Sequence, residues 1–470
     1  MNRTHLAACS FIVPLLTLLS PPAAAHLPLP PQDKLLREIY QELVEINTTN
    51  SVGSCTDAAR DMAARLKTGG YTDDEMQIII PPGNAKKGNL VARLKGTGTK
   101  KPLMLLAHID VVEAKREDWE RDPFKLIEEG GFFYARGSSD DKAMAAINVS
   151  NMIRYKAEKL TSARDIILAL TCDEEGGAFN GVEYLIKHHR NLIDAEITLN
   201  EGGGGSLDKD GKRILHGIQA GEKTYQSFAL EVTNKGGHSS VPVADNAIYH
   251  LSEGLVRLAK FEFPFKLSDV TRAYFERRAA LEPPAIAADM RTILKDPPDR
   301  DALARLYAAN PHYNAAVRTT CVATRIDAGH ADNALPQRAK AIVNCRILPG
   351  EKIADVQAML VSAVADAKIK ITTTHETTGS PVPPLTPELM RAVESTSAEL
   401  WPGIPVIPAM SSGATDGRFL NNAGIWTYGI TGLFHFPGGS NAHGLNERLP
   451  VKSFYEGHEF LYRVGKRLGR

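Results

Sequence analysis

The apolar residues of this chain follow two alternating periodicities. From Leu35 to Val44 they recur at helical spacing, which predicts an opening amphipathic helix. Short strand-like runs follow at 76–80, 90–94, 103–107 and 166–171, and the last of them is uncharged. Helical stretches lie between them, one starting after Lys142 and another near Val182. This alternation predicts an α/β domain with a mostly parallel sheet.

The pattern changes near Glu222, where apolar and polar residues alternate as in a half-solvated strand. Strand and helix patterns then occur in the order β-α-β-β-α-β, which predicts a ferredoxin-like domain. After a linker at Gly379–Pro384 the α/β pattern returns, with a strand near Ile425–Ile430. We therefore expect catalytic-domain segments at 31–221 and 377–470 and an inserted domain at 222–376. A charged helical stretch at 262–318 has no assignment.

The amino-terminal residues resemble a secretory signal peptide at 1–25. A weakly basic start is followed by an apolar stretch, Leu6–Leu19, and by small residues at Ala23–Ala25. A membrane anchor is the alternative, but Pro14 interrupts an apolar run that is already short. The sequence therefore predicts export, to the periplasm as first choice and to the extracellular space as second.

Composition narrows the possible partners. Lys+Arg and Asp+Glu both number 55 in 470 residues, so a basic footprint for nucleic acid is absent. No segment after the signal peptide has the length and apolar character of a membrane span, so we expect no membrane association after cleavage.

The cysteines do not form close-spaced pairs, which argues against a thiolate zinc site. Cys321 and Cys345 lie in neighbouring strand-like runs and could form a disulfide. Cys172 is interpreted as a small buried apolar residue instead of a nucleophile.

Acidic and imidazole side chains follow two of the predicted strands. Glu174 and Glu175 come just after the strand at 166–171, and His108 follows the strand at 103–107 with Asp110 two residues later. Ligands bind at the carboxyl ends of strands in open α/β sheets. A solvated helix start for the glutamates, and chance for the His-x-Asp spacing, are the alternatives.

Three further motifs add candidate ligands. Asp140 lies in a loop of small residues, Glu201 precedes a run of glycines, and His443 lies near the carboxyl terminus. An acidic helix cap, a flexible loop and an ordinary loop histidine are the respective alternatives. His435 competes with His443, but phenylalanines on both sides of it indicate core packing.

Together these residues offer imidazole and carboxylate groups at several strand ends. This donor set suits Zn²⁺, with Co²⁺ or Mn²⁺ as alternatives. The number of candidate ligands is larger than one tetrahedral ion requires. Two ions that share a bridging carboxylate would use all of them.

These five motifs occur in the order seen in a known family. Over residues 33–465 the chain resembles the dizinc exopeptidases and amidohydrolases of clan MH, which include aminoacylase, carnosinase, carboxypeptidase G and succinyl-diaminopimelate desuccinylase. The resemblance implies that His108 and Glu201 bind one zinc ion. It implies that Glu175 and His443 bind the other and that Asp140 bridges the two.

The resemblance also implies catalytic and substrate-binding roles. Glu174 is expected to be the general base, and Asp110 to orient His108 through its far ring nitrogen. His238, in Gly-His-Ser-Ser, is expected to reach across a homodimer formed by the inserted domain. The substrate carboxylate is expected to bind Asn333 and Arg346, and Arg418 belongs to a further loop that resembles a substrate-side loop.

The expected reaction is metal-dependent hydrolysis of an amide bond in a small peptide, as in a dipeptidase or carboxypeptidase. Hydrolysis of an N-acyl amino acid is the alternative, because both substrates place an amide next to a carboxylate. An exported, non-catalytic binding protein on the same scaffold is a remote alternative.

Overall fold

The computed structural model describes residues 29–470, so the predicted signal peptide lies outside the described residues. The helices, in chain order, are α1 (Pro31–Glu45), α2 (Cys55–Thr68), α3 (Lys142–Ala157), α4 (Gly181–His188), α5 (Arg190–Ile193), α6 (Ala247–Ala259), α7 (Asp269–Arg278), α8 (Pro284–Thr292), α9 (Arg300–Ala309), α10 (Pro311–Val317), α11 (Ile353–Val364), α12 (Pro387–Leu400), α13 (Gly417–Asn422) and α14 (Val451–Leu468).

The strands, in chain order, are β1 (Met76–Ile79), β2 (Asn89–Leu94), β3 (Leu103–His108), β4 (Ile127–Glu129), β5 (Phe132–Tyr134), β6 (Ile166–Thr171), β7 (Ile197–Asn200), β8 (Gly204–Leu207), β9 (Arg213–Glu222), β10 (Thr224–Thr233), β11 (Gly237–His238), β12 (Thr320–Ala328), β13 (Ala334–Leu335), β14 (Arg338–Ile347), β15 (Lys370–Thr373), β16 (Val406–Ser411), β17 (Trp426–Gly429), β18 (Phe434–His435) and β19 (Arg448–Pro450). Over residues 29–470, no helix is long and apolar enough to cross a membrane.

A large mixed sheet forms the centre of the molecule. Its strand order is β1-β2-β6-β3-β7-β17-β9-β8-β18, and β16 pairs with β9. The central strands β6, β3, β7 and β17 are parallel to one another. Strands β1 and β2 are antiparallel to their neighbours, as is the β8–β9 pair. The predicted parallel arrangement therefore holds at the centre of the sheet, whereas antiparallel pairs occur on both sides of that centre.

Both faces of the central strands are buried. In β3, Leu105 packs into a core with α1, α3 and α14, whereas its neighbour Leu106 packs into a second core with α4 and α13. Successive side chains of a strand point to opposite faces, so burial on both faces requires an uninterrupted apolar run. The first polar residues therefore come where each apolar run ends. Because β3, β6 and β7 are parallel, their carboxyl ends lie together along one edge of the sheet.

A second sheet lies between the two segments of the chain that build the large one. Its order is β12-β14-β10-β15, and all of its pairs are antiparallel. The elements β10, α6, β12, β14, α11 and β15 follow the predicted ferredoxin-like order. Glu222 ends β9 and Thr224 begins β10, so the chain passes from one sheet to the other at Lys223. The domain boundaries themselves stay a prediction.

The stretch at 262–318, which the sequence left unassigned, contains helices α7 to α10. These helices have a hydrophobic cluster of their own around Phe275, Met290 and Leu306. Helix α7 also packs against β16, where the Arg277 guanidinium donates to the carbonyl of Val406 at 2.7 Å. The stretch therefore attaches to the large sheet.

Two disulfides link distant segments. Cys321 and Cys345 are register partners in β12 and β14, so this predicted bridge is confirmed. Cys172, just after β6, is bonded to Cys55 at the start of α2, 117 residues away. Cys172 is buried, as interpreted from the sequence, but the sequence analysis did not predict its disulfide, because burial alone does not distinguish a thiol from a disulfide.

Candidate metal centre and active site

Two groups of potential metal ligands meet at the carboxyl ends of the central strands. His108, Asp140 and Glu201 form one group, and Asp140, Glu175 and His443 form the other. In each group the ligand atoms lie within 4.8 Å of one another, and Asp140 belongs to both. The shared carboxylate is the arrangement expected for a bridged pair of ions.

The distances show how Asp140 joins the two groups. One of its oxygens lies 3.0 Å from His108 Nε2, and the other lies 3.3 Å from His443 Nε2. His443 Nε2 is also 2.8 Å from the Glu175 carboxylate, and His108 Nε2 is 4.0 Å from that of Glu201. All five predicted ligands therefore converge. The rival His435 lies in β18, outside both groups.

Glu447, which the sequence did not single out, holds the loop that carries Asp140. Its carboxylate accepts hydrogen bonds from the backbone N–H groups of Gly137, Ser139 and Asp140 at 3.0, 2.7 and 3.0 Å. The buried Arg136 guanidinium donates to the same carboxylate at 2.8 Å. The Asp140–Asp141 peptide bond is cis. The hydrogen bonds of Glu447 therefore fix the backbone on which Asp140 stands.

Asp110 lies beneath the ligand cluster. The far ring nitrogen of His108 is 3.1 Å from the backbone carbonyl of Asp110 and 3.6 Å from its carboxylate. That carboxylate accepts hydrogen bonds from the backbone N–H groups of Glu174 and Glu175, at 3.3 and 3.1 Å. The carbonyl, and not the predicted carboxylate, therefore makes the closer contact with His108, while the carboxylate supports the glutamate pair.

The charges of the cluster fit a site for cations. Burial raises the pKa values of Glu174 and Glu201 well above the ordinary range and that of Glu175 to about 7. Burial opposes ionisation of Asp140 too, but hydrogen bonds with His108 and His443 lower its pKa. So many carboxylates are stable together in low dielectric only with positive charge between them. The imidazole and carboxylate donors fit two divalent ions.

The cluster opens into a cavity of about 530 Å³. Arg346, Arg418 and Tyr225 line it together with Glu174 and four of the five ligand residues, all but the buried His108. The Arg346 guanidinium lies 4.8 Å over the Tyr225 ring and donates to the carbonyl of Ser412 at 3.2 Å. Both predicted arginines therefore share a cavity with the candidate metal site.

His238 and Asn333 lie elsewhere. His238 lies in β11, opposite Ala334 of β13, and Asn333 directly precedes β13. The Ser239 N–H donates to the Asn333 carbonyl at 3.1 Å. Both side chains are exposed, and neither residue lines the cavity. Within one chain, His238 and Asn333 therefore lie outside the cavity that contains Glu174 and Arg346.

The sequence also did not single out two buried acids, Asp416 in the cavity wall and Glu222 behind it. Asp416 accepts a hydrogen bond from the Asn180 amide at 2.6 Å, and burial raises its pKa to about 6. Glu222 accepts from the N–H and hydroxyl of Thr415 at 2.8 and 2.9 Å, and burial raises its pKa to about 7. Only the Gly413–Arg418 motif could have pointed to Asp416. Glu447 and Glu222 have no sequence pattern that separates them from surface acids.

The chain matches a known protein family over most of its length. Residues 104–467 match "Peptidase family M20/M25/M40". The N-fatty-acyl-amino acid synthase/hydrolase PM20D1 of Homo sapiens is 28% identical over 373 residues, covering 77% of this chain and 73% of that protein.

Solved structures share the fold. An M20 family metallo-carboxypeptidase of Sulfolobus solfataricus, Sso-CP2, has a TM-score of 0.69 at 19% identity, covering 92% of this chain and 99% of that one. Human carnosine dipeptidase 1 has a TM-score of 0.62 at 15% identity, covering 93% and 96%. The chain thus belongs to peptidase family M20/M25/M40 and is a metal-dependent peptidase or amidohydrolase, as its motifs implied.

Proposed function

We propose that this protein hydrolyses the amide bond next to the free carboxylate of a small peptide. One observation carries the proposal: the two ligand groups that share Asp140 open into the same cavity as Glu174 and Arg346. The cavity thereby combines a cation site, a candidate base and a group that can anchor an anion.

Two zinc ions are the proposed cofactors, with Co²⁺ or Mn²⁺ as alternatives. His108 and Glu201 would hold one ion, Glu175 and His443 the other, and Asp140 both. When bound, the ions supply the positive charge that brings the pKa of a water towards neutrality.

Glu174 is the proposed general base. It lines the cavity beside the ligands without belonging to either group, so its carboxylate is free to accept a proton from water. The same carboxyl then donates that proton to the leaving amine. Arg346 and Arg418 hold the substrate carboxylate, for which a guanidinium fork is well suited.

His238 and Asn333 are proposed to act across a homodimer. Their exposed position outside the cavity supports this role, since a partner's cavity is where such residues could meet substrate. Mixing the His238→Ala and Glu174→Ala variants tests it. Each mixed dimer would regain one intact site, so activity should return to about a quarter of wild type. A monomeric, fully active enzyme would contradict the proposal.

Hydrolysis of an N-acyl amino acid is the second candidate, and the similarity to the N-fatty-acyl-amino acid synthase/hydrolase favours it. The mainly charged and polar lining of the cavity favours a short peptide over a long acyl chain. Metal-loaded enzyme should be assayed with dipeptides, tripeptides and N-acyl amino acids of increasing chain length. Turnover restricted to acyl amino acids would replace the peptide assignment, and a lack of any metal-dependent turnover would refute both.

Export is proposed as well, to the periplasm or else to the extracellular space. The signal-like residues 1–25 and the two disulfides support it, because disulfides persist in oxidising compartments. Amino-terminal sequencing of protein from fractionated cells should find a mature chain that starts near His26. A chain that retains Met1 in the cytosol would contradict it.

A further inference from the structure

A second cavity borders the candidate active site. It has a volume of about 340 Å³ and lies between the helical stretch α7–α10 and the end of β16. Ser412 lines this cavity, and the next residue, Gly413, lines the candidate active site. The Ser412 carbonyl accepts the hydrogen bond from Arg346. The backbone segment Ser412–Gly413, which the proposed carboxylate anchor contacts, therefore contributes to the walls of both cavities.

The lining of the second cavity differs from that of the first. It contains no carboxylate, whereas five of the residues that line the first cavity are acidic. Most of its wall is apolar or aromatic, from Tyr274, Tyr313, Ala315, Ala316, Ala409 and Met410.

Two polar side chains of this wall, Arg278 and Tyr313, are bound by a carboxylate behind it. Glu282, which lies behind it, accepts hydrogen bonds from the Arg278 guanidinium at 2.5 Å and from the Tyr313 hydroxyl at 2.9 Å. The charge of Arg278 is therefore neutralised, and the Tyr313 hydroxyl is engaged. The tyrosine rings, the alanines and Met410 leave a space of this size for an apolar group, and the wall offers no carboxylate to pair with a cation.

We propose that the second cavity is a specificity subsite that receives an apolar side chain from the substrate residue that bears the free carboxylate. This inference rests on the proposed function, since Arg346 is taken to hold that carboxylate. A side chain on the same residue starts one carbon away from the carboxylate, and Arg346 contacts Ser412 at the border of the cavity. The subsite assigns a role to the helical stretch 262–318.

The test is a substrate series with one amino-terminal residue and Gly, Ala, Leu or Phe at the carboxyl end. Wild type should prefer Leu and Phe to Gly by at least about tenfold in kcat/KM, because apolar pockets discriminate through buried methylenes. Ala315→Trp, which fills the cavity, should remove most of that preference and leave the Gly substrate within about twofold of wild type. Ala308→Trp, at an exposed position of α9, is the matched control and should change nothing.

Met410→Lys is a second variant, which places a charge in the cavity. It should lower kcat/KM for the Leu and Phe substrates and leave that for the Gly substrate nearly unchanged. Thermal unfolding of each variant checks that it is folded. No preference in wild type, or an equal loss on all substrates in both folded variants, would overturn the subsite while leaving the hydrolase assignment intact.

Binding of free amino acids distinguishes failure of the proposed subsite from failure of the proposed hydrolysis. If wild type turns over none of the substrates, calorimetry with L-phenylalanine and glycine replaces the kinetic assay. Tighter binding of phenylalanine that Ala315→Trp abolishes would support the subsite and refute the proposed hydrolysis. Equal binding of the two amino acids would overturn both.

Discussion

The carboxylate of Asp110 accepts a hydrogen bond from the backbone N–H of Glu175 at 3.1 Å, and its other oxygen accepts from Glu174. The residue thus connects the loop after β3 with the loop after β6. It orients a proposed base and a proposed metal ligand through their backbones, without touching either side chain.

We expect Asp110→Ala to weaken metal binding by about 10–100-fold, as the loss of outer-shell partners typically does. Two backbone donors would lose their acceptor, and the glutamate loop would no longer be held in place. A titration against a competing chelator measures the affinity. Asp118→Ala, at an exposed position of the same loop region, is the control. Unchanged affinity in Asp110→Ala would show that the loop holds its shape by other contacts.

The adjacent glutamates should respond differently to the same substitution. Glu174→Gln should retain bound metal and lose turnover by about 10²–10⁴-fold, because an amide cannot accept the proton. Glu175→Gln and His443→Ala should lose metal, because each removes a ligand from the second group. Metal content after dialysis, compared with kcat, separates these outcomes. Near wild-type turnover in Glu174→Gln would refute its assignment as the base.

The two disulfides should contribute unequally to stability. In the chain-entropy relation, a bridge that closes a 117-residue loop stabilises by about 5 kcal/mol, and one that closes a 24-residue loop by about 3 kcal/mol. The Cys55→Ala/Cys172→Ala double variant should therefore unfold at lower urea than Cys321→Ala/Cys345→Ala. Equilibrium urea unfolding measures both free energies. The reverse order would show that native contacts near the bridges outweigh the loop entropy.

Buried histidines should make the fold sensitive to mild acid. Burial lowers the pKa of His216 to about 3, and those of His435 and His458 to about 4. Between these values and the ordinary value near 6.5, the unfolded chain binds protons that the folded chain does not. The stability present above pH 6.5 is therefore lost progressively as the pH falls, by about 2 kcal/mol per histidine at pH 5.

His216→Gln should remove one such contribution and flatten the dependence of unfolding free energy on pH between 7 and 5. Urea unfolding at several pH values measures this slope. His188→Gln, at an exposed position of α4, should leave the slope unchanged. An identical slope for wild type and His216→Gln would mean that His216 gains its proton in the folded state.

The sequence by itself determined the positions of the strand ends and the residues that follow them. An uninterrupted apolar run, as in β3 or β6, is required for a strand buried on both faces, so the run shows where the strand stops. His108 and the Glu174–Glu175 pair were located in this way. The order of five motifs then sufficed to identify the family.

Tertiary structure alone decided which distant residues share a site. Glu447 is more than 300 residues from the loop it holds, and Cys172 is 117 residues from its partner. Neither lies in a periodic pattern, because a single long-range contact leaves no local trace in the chain. Periodicity reports which face of an element is buried, but not what packs against it. For that reason the stretch 262–318 acquired a place, beside β16 and the second cavity, only in the folded molecule.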